Sequence, residues 1–354
     1  MQKRIAILIV AYNAPDDLRD CLTALHELPD VMDQAEIVVV DNRCPAASDQ
    51  MLMKQFPDVH LVRTHRNLGF AGGNNAGWRY IQHHLPKTDG LLLLNQDAIV
   101  TSDFLQPLID VMEADEQVAA VQPMILLDGT DPLRVNTAGN CSHFLGFGYT
   151  LGYDKSATDP SVNIPCDLDF PSGAAVLLRT DVIERLGLFD DRMFMYMEDQ
   201  DLGWKLRQAG YKVRYEPTSQ VLHHYRFGST LNSYRYLERN RIWLLKIYYH
   251  PLTLLLILPA LLVMELGQFL YATANGQLRD KLWGYGQLLR PSVIAHLIRR
   301  RNQTQARRQI SDKQFLAEYS GCVIFPEGEP ALLRWIGNPL LNLYWTVVRS
   351  FILW

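Results

Sequence analysis

Apolar residues in the first part of the chain come in short unbroken runs. Residues 5–10 are all apolar, residues 37–40 form a second run after Glu36, and residues 91–94 a third. Runs of this length without polar alternation predict strands buried on both faces, as in a parallel sheet. Residues 59–63 predict a short strand, and 118–124 and 170–178 two more. Between these runs the spacing becomes helical. Leu18, Leu22 and Leu25 share one face of a segment over 16–28, and Trp78, Ile81 and His84 follow a glycine-rich stretch at 67–77. Residues 180–186 and 201–209 read as two further helices, the second closed by Gly210. Alternating strands and helices joined by short turns predict a right-handed, mostly parallel α/β sheet.

Beyond residue 234 the pattern changes. Segments 242–249 and 252–270 are strongly apolar, interrupted by Pro251, Pro259 and Glu265. The second approaches the roughly 20 residues that a bilayer crossing requires. Its internal proline and glutamate favour a hydrophobic hairpin or a helix lying in the membrane interface. A basic cluster follows at Arg299, Arg300, Arg301, Arg307 and Arg308, and the tail 340–354 carries Tyr344, Trp345, Phe351 and Trp354 with Arg349 as its only charge. Arginines and aromatics beside apolar helices fit a membrane surface; packing onto the rest of the chain or another subunit is the competing reading. The expected organisation is an α/β domain over 1–234 and a helical, membrane-associating region over 235–354.

The net charge of the 354 residues is only −4, but it is unevenly spread. Residues 1–234 hold 19 Lys and Arg against 31 Asp and Glu, and residues 235–354 hold 15 against 7. The acidic part argues against nucleic acid as a partner and suits a site that takes metal ions; the basic part could face anionic lipid. Cys21, Cys44, Cys141, Cys166 and Cys322 have no paired spacing and read as reduced thiols of a cytoplasmic protein. The short run at 5–11 leads into Tyr12-Asn13 without a cleavage pattern, so it is not expected to be a signal peptide.

Candidate chemistry gathers where the strands end. In open α/β sheets ligands bind beyond the carboxyl ends of the strands, and three such ends here are polar: Tyr12-Asn13, Asp41-Asn42 and Asn95-Gln96-Asp97. Asp41 is placed to accept from an amide-like N–H such as that of a pyrimidine ring, although Asp-Asn is also a common turn. The 67–77 stretch matches neither G-x-G-x-x-G nor a P-loop; its glycines would allow close backbone approach, and an ordinary strand-to-helix turn is the simpler account. Glu198, Asp199 and Asp201 fall within four positions of an otherwise mostly apolar run. Acids this close raise one another's pKa unless a cation or proton is shared, which suits a general base or a metal ligand. They also suit the first turn of a helix, with Asp201 as its cap. His223 and His224 follow at a distance consistent with a metal ligand that joins a single aspartate.

In this order the pieces resemble the GT-A glycosyltransferases of family 2, inverting nucleotide-sugar enzymes, and within them the rhamnosyltransferase-like branch. Residues 9–13, 38–42, 67–77, 93–97, 170–174, 194–204 and 221–229 carry the resemblance, which covers roughly 3–235. It implies that Asp41 reads the base, that Tyr12 and Asn13 flank the nucleotide, and that Asn67, Gly69 and Asn95 line the nucleotide-sugar pocket. It further implies Asp199 as catalytic base with Glu198 supporting it, and Asp97 with His223 holding Mg2+ or Mn2+. The family's D-x-D is reduced here to Asn95-Gln96-Asp97, which leaves the metal more dependent on the histidine. Spacing to Gly228-Ser229 favours His223 over His224. The implied donor is dTDP-rhamnose and the acceptor a polyprenyl-linked or cell-surface glycan at the inner face of the membrane. A glycoside hydrolase using paired carboxylates and a non-catalytic membrane scaffold are the competing readings.

Overall fold

The computed structural model describes residues 4–43, 52, 54–224, 233–324 and 331–354. It holds two compact units. One takes Met1–Asn140, Thr150–Gly203 and Tyr211–Phe227; the other takes Cys141–Tyr149, Trp204–Gly210 and Gly228–Trp354.

The first unit is built on a mixed sheet. Its strands are β1 (Arg4–Ala11), β2 (Ala35–Asp41), β3 (His60–Arg63), β4 (Thr88–Asn95), β5 (Ala98–Val100), β6 (Val118–Leu127), β7 (Arg134–Thr137), β8 (Cys166–Asp167), β9 (Ala175–Arg179) and β10 (Lys212–His223). The order across the sheet is β8-β10-β6-β9-β4-β1-β2-β3, with β5 paired to β10 and β7 to β6. Strands β3, β2, β1 and β4 run parallel, as do β6 and β10. Strand β9 runs antiparallel between β4 and β6. The expected α/β class with a parallel central sheet is present.

Helices α1 (Pro15–His26), α2 (Gly69–His84), α3 (Leu105–Ala114), α4 (Thr180–Leu186) and the start of α5 (Glu198–Gln208) belong with this sheet. The apolar runs of β1, β2 and β4 are explained by cover on both faces. Ile5, Ile7 and Ile9 share a buried core with Leu18, Leu22 and Leu25 of α1, while Leu8 and Val40 meet α2. A Cβ on Gly77 would lie 2.2 Å from Leu8 Cδ1 and 2.8 Å from Val40 Cγ2. Glycine there lets α2 lie against the strands, so this part of the glycine-rich stretch is spent on packing.

Two expected boundaries differ. Residues 170–174 are not strand; Pro171 removes a ladder donor, and Ser172 N–H instead donates to Gln122 Oε1 at 2.7 Å. Helix α5 begins at Glu198, with Asp201 N–H donating to Met197 O at 2.8 Å, so Asp201 is a fully buried residue inside the helix and not its cap.

Pairing brings the polar ends together. Ala11 pairs with Asp41 and Val10 with Asn95, so three strands stop on one edge. Because β9 is antiparallel, its leading residues 173–174 arrive at that same edge, beside Leu94 and Asn95. His223, at the end of β10, pairs with Ala98 of β5.

The second unit contains α6 (Ser233–Tyr248), α7 (Pro251–Ala274), α8 (Leu278–Leu288), α9 (Pro291–Ala306) and α10 (Asn338–Arg349). Its core is aromatic. Trp204 is stacked on Tyr249 and donates from Nε1 to Ser142 Oγ at 2.9 Å, and Phe144 stacks on Trp345 with centroids 4.6 Å apart. Part of the basic cluster also bonds within this unit: Arg301 donates to the carbonyls of Lys246 and Tyr249 at the end of α6, both at 2.7 Å, and Arg308 pairs with Asp312. Cys21, Cys141, Cys166 and Cys322 form no disulfide among the described residues; Cys44 lies outside them.

Gly77→Val is expected to destabilise the first unit by about 1–3 kcal/mol through overpacking of a core with no spare room. A urea titration followed by circular dichroism checks this as a lowered midpoint.

Candidate active site

Neutral amides organise the strand-end edge. At the end of β2, the buried Asn42 donates from Nδ2 to Asn67 Oδ1 and Gly69 O at 3.2 and 3.0 Å. Its Oδ1 accepts from Leu68 N–H at 2.8 Å. Asn67 closes its own turn by accepting from Gly69 N–H at 2.8 Å. Asn42 thus fixes the entry to α2 beside Asp41, which is itself buried. At the end of β4, Gln96 grips the Tyr12 peptide from both sides, accepting from its N–H and donating to its carbonyl, each at 2.9 Å. Asn13 follows in a left-handed conformation (φ 51°). The middle residue of the 95–97 triplet is therefore committed to holding the β1 end, not to a metal.

Gly69 ties this edge to the acids. Its φ is +72°, and a Cβ there would lie 2.1 Å from the carbonyl oxygen of Phe194. That carbonyl also accepts from Ala71 N–H at 3.2 Å. Phe194 opens the turn into α5, and Phe194, Tyr196 and Met197 all have φ of 66–67°, uncommon for residues with a side chain. Such strain persists only where surroundings enforce it and clusters at functional sites. The turn delivers Glu198 and Asp199 at the first positions of α5, next to its free N–H groups.

The two acids have different surroundings. Glu198 is buried, its Oε2 has no partner among the described residues, and burial, reinforced by the charge of Asp199, pushes its carboxyl well above the usual range. Asp199 is half-buried. Burial raises its carboxyl to about 6, while the Gln200 N–H, donating to Oδ1 at 2.7 Å, and the Gly173 N–H work against that rise. At neutral pH Asp199 is a carboxylate able to take a proton, and burial biases Glu198 beside it toward its neutral form.

Asp97 and His223 form the second cluster. Asp97 Oδ1 lies 3.2 Å from His223 Nε2, and His223 Nδ1 lies 3.1 Å from Oδ1 of the buried Asn136. Asn95 Nδ2 is 3.4 Å from the same Nε2. Asn136 accepts from Nδ1–H, which leaves Nε2 facing the Asp97 carboxylate. At that distance Nε2 and the carboxylate share either a proton on Nε2 or a bound cation. Burial alone would raise the Asp97 carboxyl, but the hydrogen bond to His223, its charge and that of His224 hold it below the usual value. Neighbouring ligands of an octahedral ion at about 2.1 Å stand about 3 Å apart, so Asp97 and His223 fit a shared divalent cation. His224 is used elsewhere: its ring nitrogens face Asp17 and Asp128 at 3.3 and 2.8 Å. The Gly228-Ser229 pair lies outside the described residues. Among the described residues, no group of three or more His, Cys, Asp or Glu could hold a metal ion, and Asp97 with His223 is the pair placed to share one.

Sequence reading named Tyr12, Asn13, Asp41, Asn67, Gly69, Asn95, Asp97, Glu198, Asp199 and His223. All of them belong to the strand-end edge or to the turn joined to it through Gly69 and Gly173. Asn42, Gln96, Asn136 and Gly173 were not singled out. Asn42 and Gln96 stood inside polar strand ends, but amides there read equally well as turns; Gly173 lay within the 170–174 stretch without a role of its own, and Asn136 had no local signal.

Comparison with known proteins identifies the family and the fold. The family described as "Glycosyltransferase like family 2" matches residues 3–242. The N-acetylglucosaminyl-diphospho-decaprenol L-rhamnosyltransferase of Mycobacterium tuberculosis is 26% identical over 211 residues, covering 53% of this chain and 66% of that one, just under two thirds. Rhamnosyltransferase WbbL of Escherichia coli is 26% identical over 259 residues, covering 67% of this chain and 94% of that one. The low-salt glycan biosynthesis hexosyltransferase Agl10 of Haloferax volcanii is 23% identical over 249 residues, covering 68% and 76%. In fold, the chain is similar to GalNAc-T7 crystallised with UDP, GalNAc and Mn2+, with a TM-score of 0.64 at 15% identity over 90% of this chain and 56% of that one.

Asn136→Ala is expected to free the His223 ring and weaken Mn2+ binding about 10–100-fold with the fold retained. Calorimetric titration with Mn2+ in the presence of a nucleoside diphosphate checks it.

Proposed function

The chain belongs to glycosyltransferase-like family 2, and from that premise we propose that it moves L-rhamnose from dTDP-rhamnose onto a polyprenyl-linked or cell-surface glycan, with inversion at the transferred carbon. The enzyme is a nucleotide-sugar-dependent glycosyltransferase of GT-A fold; the sugar, nucleotide and acceptor are the proposal. The rhamnosyltransferase relatives support the donor, and the decaprenol-linked substrate named for one of them supports the lipid-linked acceptor. A cytoplasmic enzyme at the inner face of the membrane follows from that acceptor.

The observation that carries the mechanism is Asp199, a carboxylate raised to about 6 at the mouth of an enforced turn. Its carboxylate takes the proton of the acceptor hydroxyl as the hydroxyl oxygen attacks the anomeric carbon. The carbon–oxygen bond to the donor diphosphate breaks on the opposite face, and the nucleoside diphosphate leaves with the bonding electrons. Glu198, biased toward its neutral form by burial and lacking a partner at Oε2 among the described residues, donates to the acceptor or keeps Asp199 oriented. Asp41 accepts from the base N–H, and Tyr12, Asn13, Asn67 and Asn95 line the nucleotide. Asp97 and His223 would hold Mg2+ or Mn2+, whose contribution when bound is to offset the diphosphate charge.

Asp199→Asn is expected to lower transfer by about 10²–10⁴-fold with donor affinity little changed. In the unsubstituted enzyme kcat/KM should rise with pH through about 6 and then level, because the protonated base cannot accept a proton. The overall test is a donor screen with purified protein, following nucleoside diphosphate release with and without EDTA. Preference for a different nucleotide sugar removes the rhamnose assignment, and turnover indifferent to EDTA removes the Asp97–His223 metal.

A further inference from the structure

Helix α7 is 24 residues long and by composition could cross a bilayer. Its two sides are unlike. Thr253, Ile257, Ala260 and Ala272 are buried along one stripe, while Leu255, Leu262, Val263, Leu266 and Leu270 on the other are at least 60% exposed. The only charged residue of α7, Glu265, lies partly buried toward the inner stripe. Its carboxylate pairs with Arg241 of α6 and, at 2.8 Å, with Lys281 of α8. Gln268, one turn on, accepts from the same two cations at 2.8 Å and donates to Glu238 at 2.9 Å. Arg241 and Lys281 are 1% and 2% exposed. The network therefore bolts α7 lengthwise to α6 and α8.

A crossing orientation would draw those partners in with it. Helix α6 carries Arg235, Glu238, Arg239, Arg241 and Lys246, and α8 carries Arg279, Asp280 and Lys281. Charges at bilayer depth are each costly, and eight of them on two fastened helices rule that orientation out. Immersing only the outer side of α7 places leucines in the acyl boundary and no charge at all. The tail of the chain continues this face. Trp354 Nε1 donates to Thr253 Oγ1 at 2.9 Å and Tyr344 bonds the Leu256 carbonyl, so α10 adjoins the first turns of α7. Leu332, Trp335, Leu340, Leu343, Phe351 and Leu353 are exposed there. Residues 331–354 hold two charges, Arg334 and Arg349, both exposed and both cationic.

We propose that α7 and α10 form one monotopic docking face that lies in the headgroup layer of an anionic phospholipid bilayer, with Arg334 and Arg349 at lipid phosphates and α7 parallel to the membrane plane. Arginine stems can rest on the apolar layer while their guanidinium groups reach phosphate, and among the described residues 331–354 the only charges are these two cations, which favours anionic over neutral lipid. The proposal deepens the lipid-linked acceptor reading but is measured without donor or acceptor, so either can fail alone.

The test is flotation of the full chain with preformed vesicles of phosphatidylcholine alone or with phosphatidylglycerol. Binding is expected to be at least about tenfold stronger with phosphatidylglycerol, to fall about tenfold in the Arg334→Gln/Arg349→Gln double variant, and to be lost in Leu262→Glu/Leu266→Glu at an unchanged melting midpoint. A nitroxide on Val263→Cys should report headgroup depth. A bilayer-centre depth would overturn the in-plane orientation in favour of a span. Absence of vesicle binding, with light scattering showing a dimer that Leu262→Glu/Leu266→Glu dissolves, would overturn the lipid face in favour of a second copy.

Discussion

The carbonyl of Phe194 is the point on which the site depends. It accepts from Ala71 at the start of α2 and occupies the space a side chain at 69 would need. Through it, the segment that follows the strand edge and the turn that carries the acids are held as one piece. The turn has φ near +66° at three residues that are not glycine, a conformation each would leave if released. A backbone contact this close has no slack, since neither partner is the movable end of a side chain. The strain in the turn and the missing side chain at Gly69 are two sides of one constraint, and its product is the placement of Asp199.

The rest of the geometry is set by uncharged amides. Asn42 holds the 67–69 turn, Gln96 holds the Tyr12 peptide, and Asn136 holds His223. Neutral groups can do this while buried without the desolvation penalty of an ion. They also leave the site's charges to the chemistry: Asp97 low, Asp199 and Glu198 raised. Separating the carboxyls in this way lets one stay anionic toward a cation while another titrates near neutrality. The Asn95-Gln96-Asp97 triplet shows the same economy of roles, with its outer aspartate at the histidine and its central glutamine on the neighbouring strand.

How legible this was in the sequence depended on the range of the interactions. The β1, β2 and β4 runs were legible because burial on both faces removes polar alternation, and their polar ends marked the edge. Asn136 was not, because its meaning comes from β7 lying where the end of β10 passes, a pairing no local pattern encodes. Gly173 reaches the edge only because β9 is antiparallel, and the 170–178 run read as strand throughout. Asp201 looked like a cap because acid density alone cannot locate a first turn; the enforced turn at 194–197 moved that turn three residues back. The glycine-rich stretch was ambiguous for a chemical reason, since close approach to a strand and close approach to a ligand ask for the same residue.

Composition was least informative for α7, where an apolar segment of this length fits a span, a core helix or an interfacial helix equally. What separates them is the direction its single carboxylate takes. Glu265 inside a lone spanning helix would be a defect, whereas at the inner stripe it becomes the anchor of a buried network with Arg241 and Lys281. The low carboxyl of Glu265, where the charges of Arg241 and Lys281 outweigh the cost of burial, fits an ion held by permanent neighbours. A network of that kind fixes rotation about the helix axis, because turning α7 by a quarter would strand three buried charges at once. The same bonds that make the inner side tolerable therefore determine which leucines face outward, and the outer face is as much a consequence of Glu265 as of the leucines themselves.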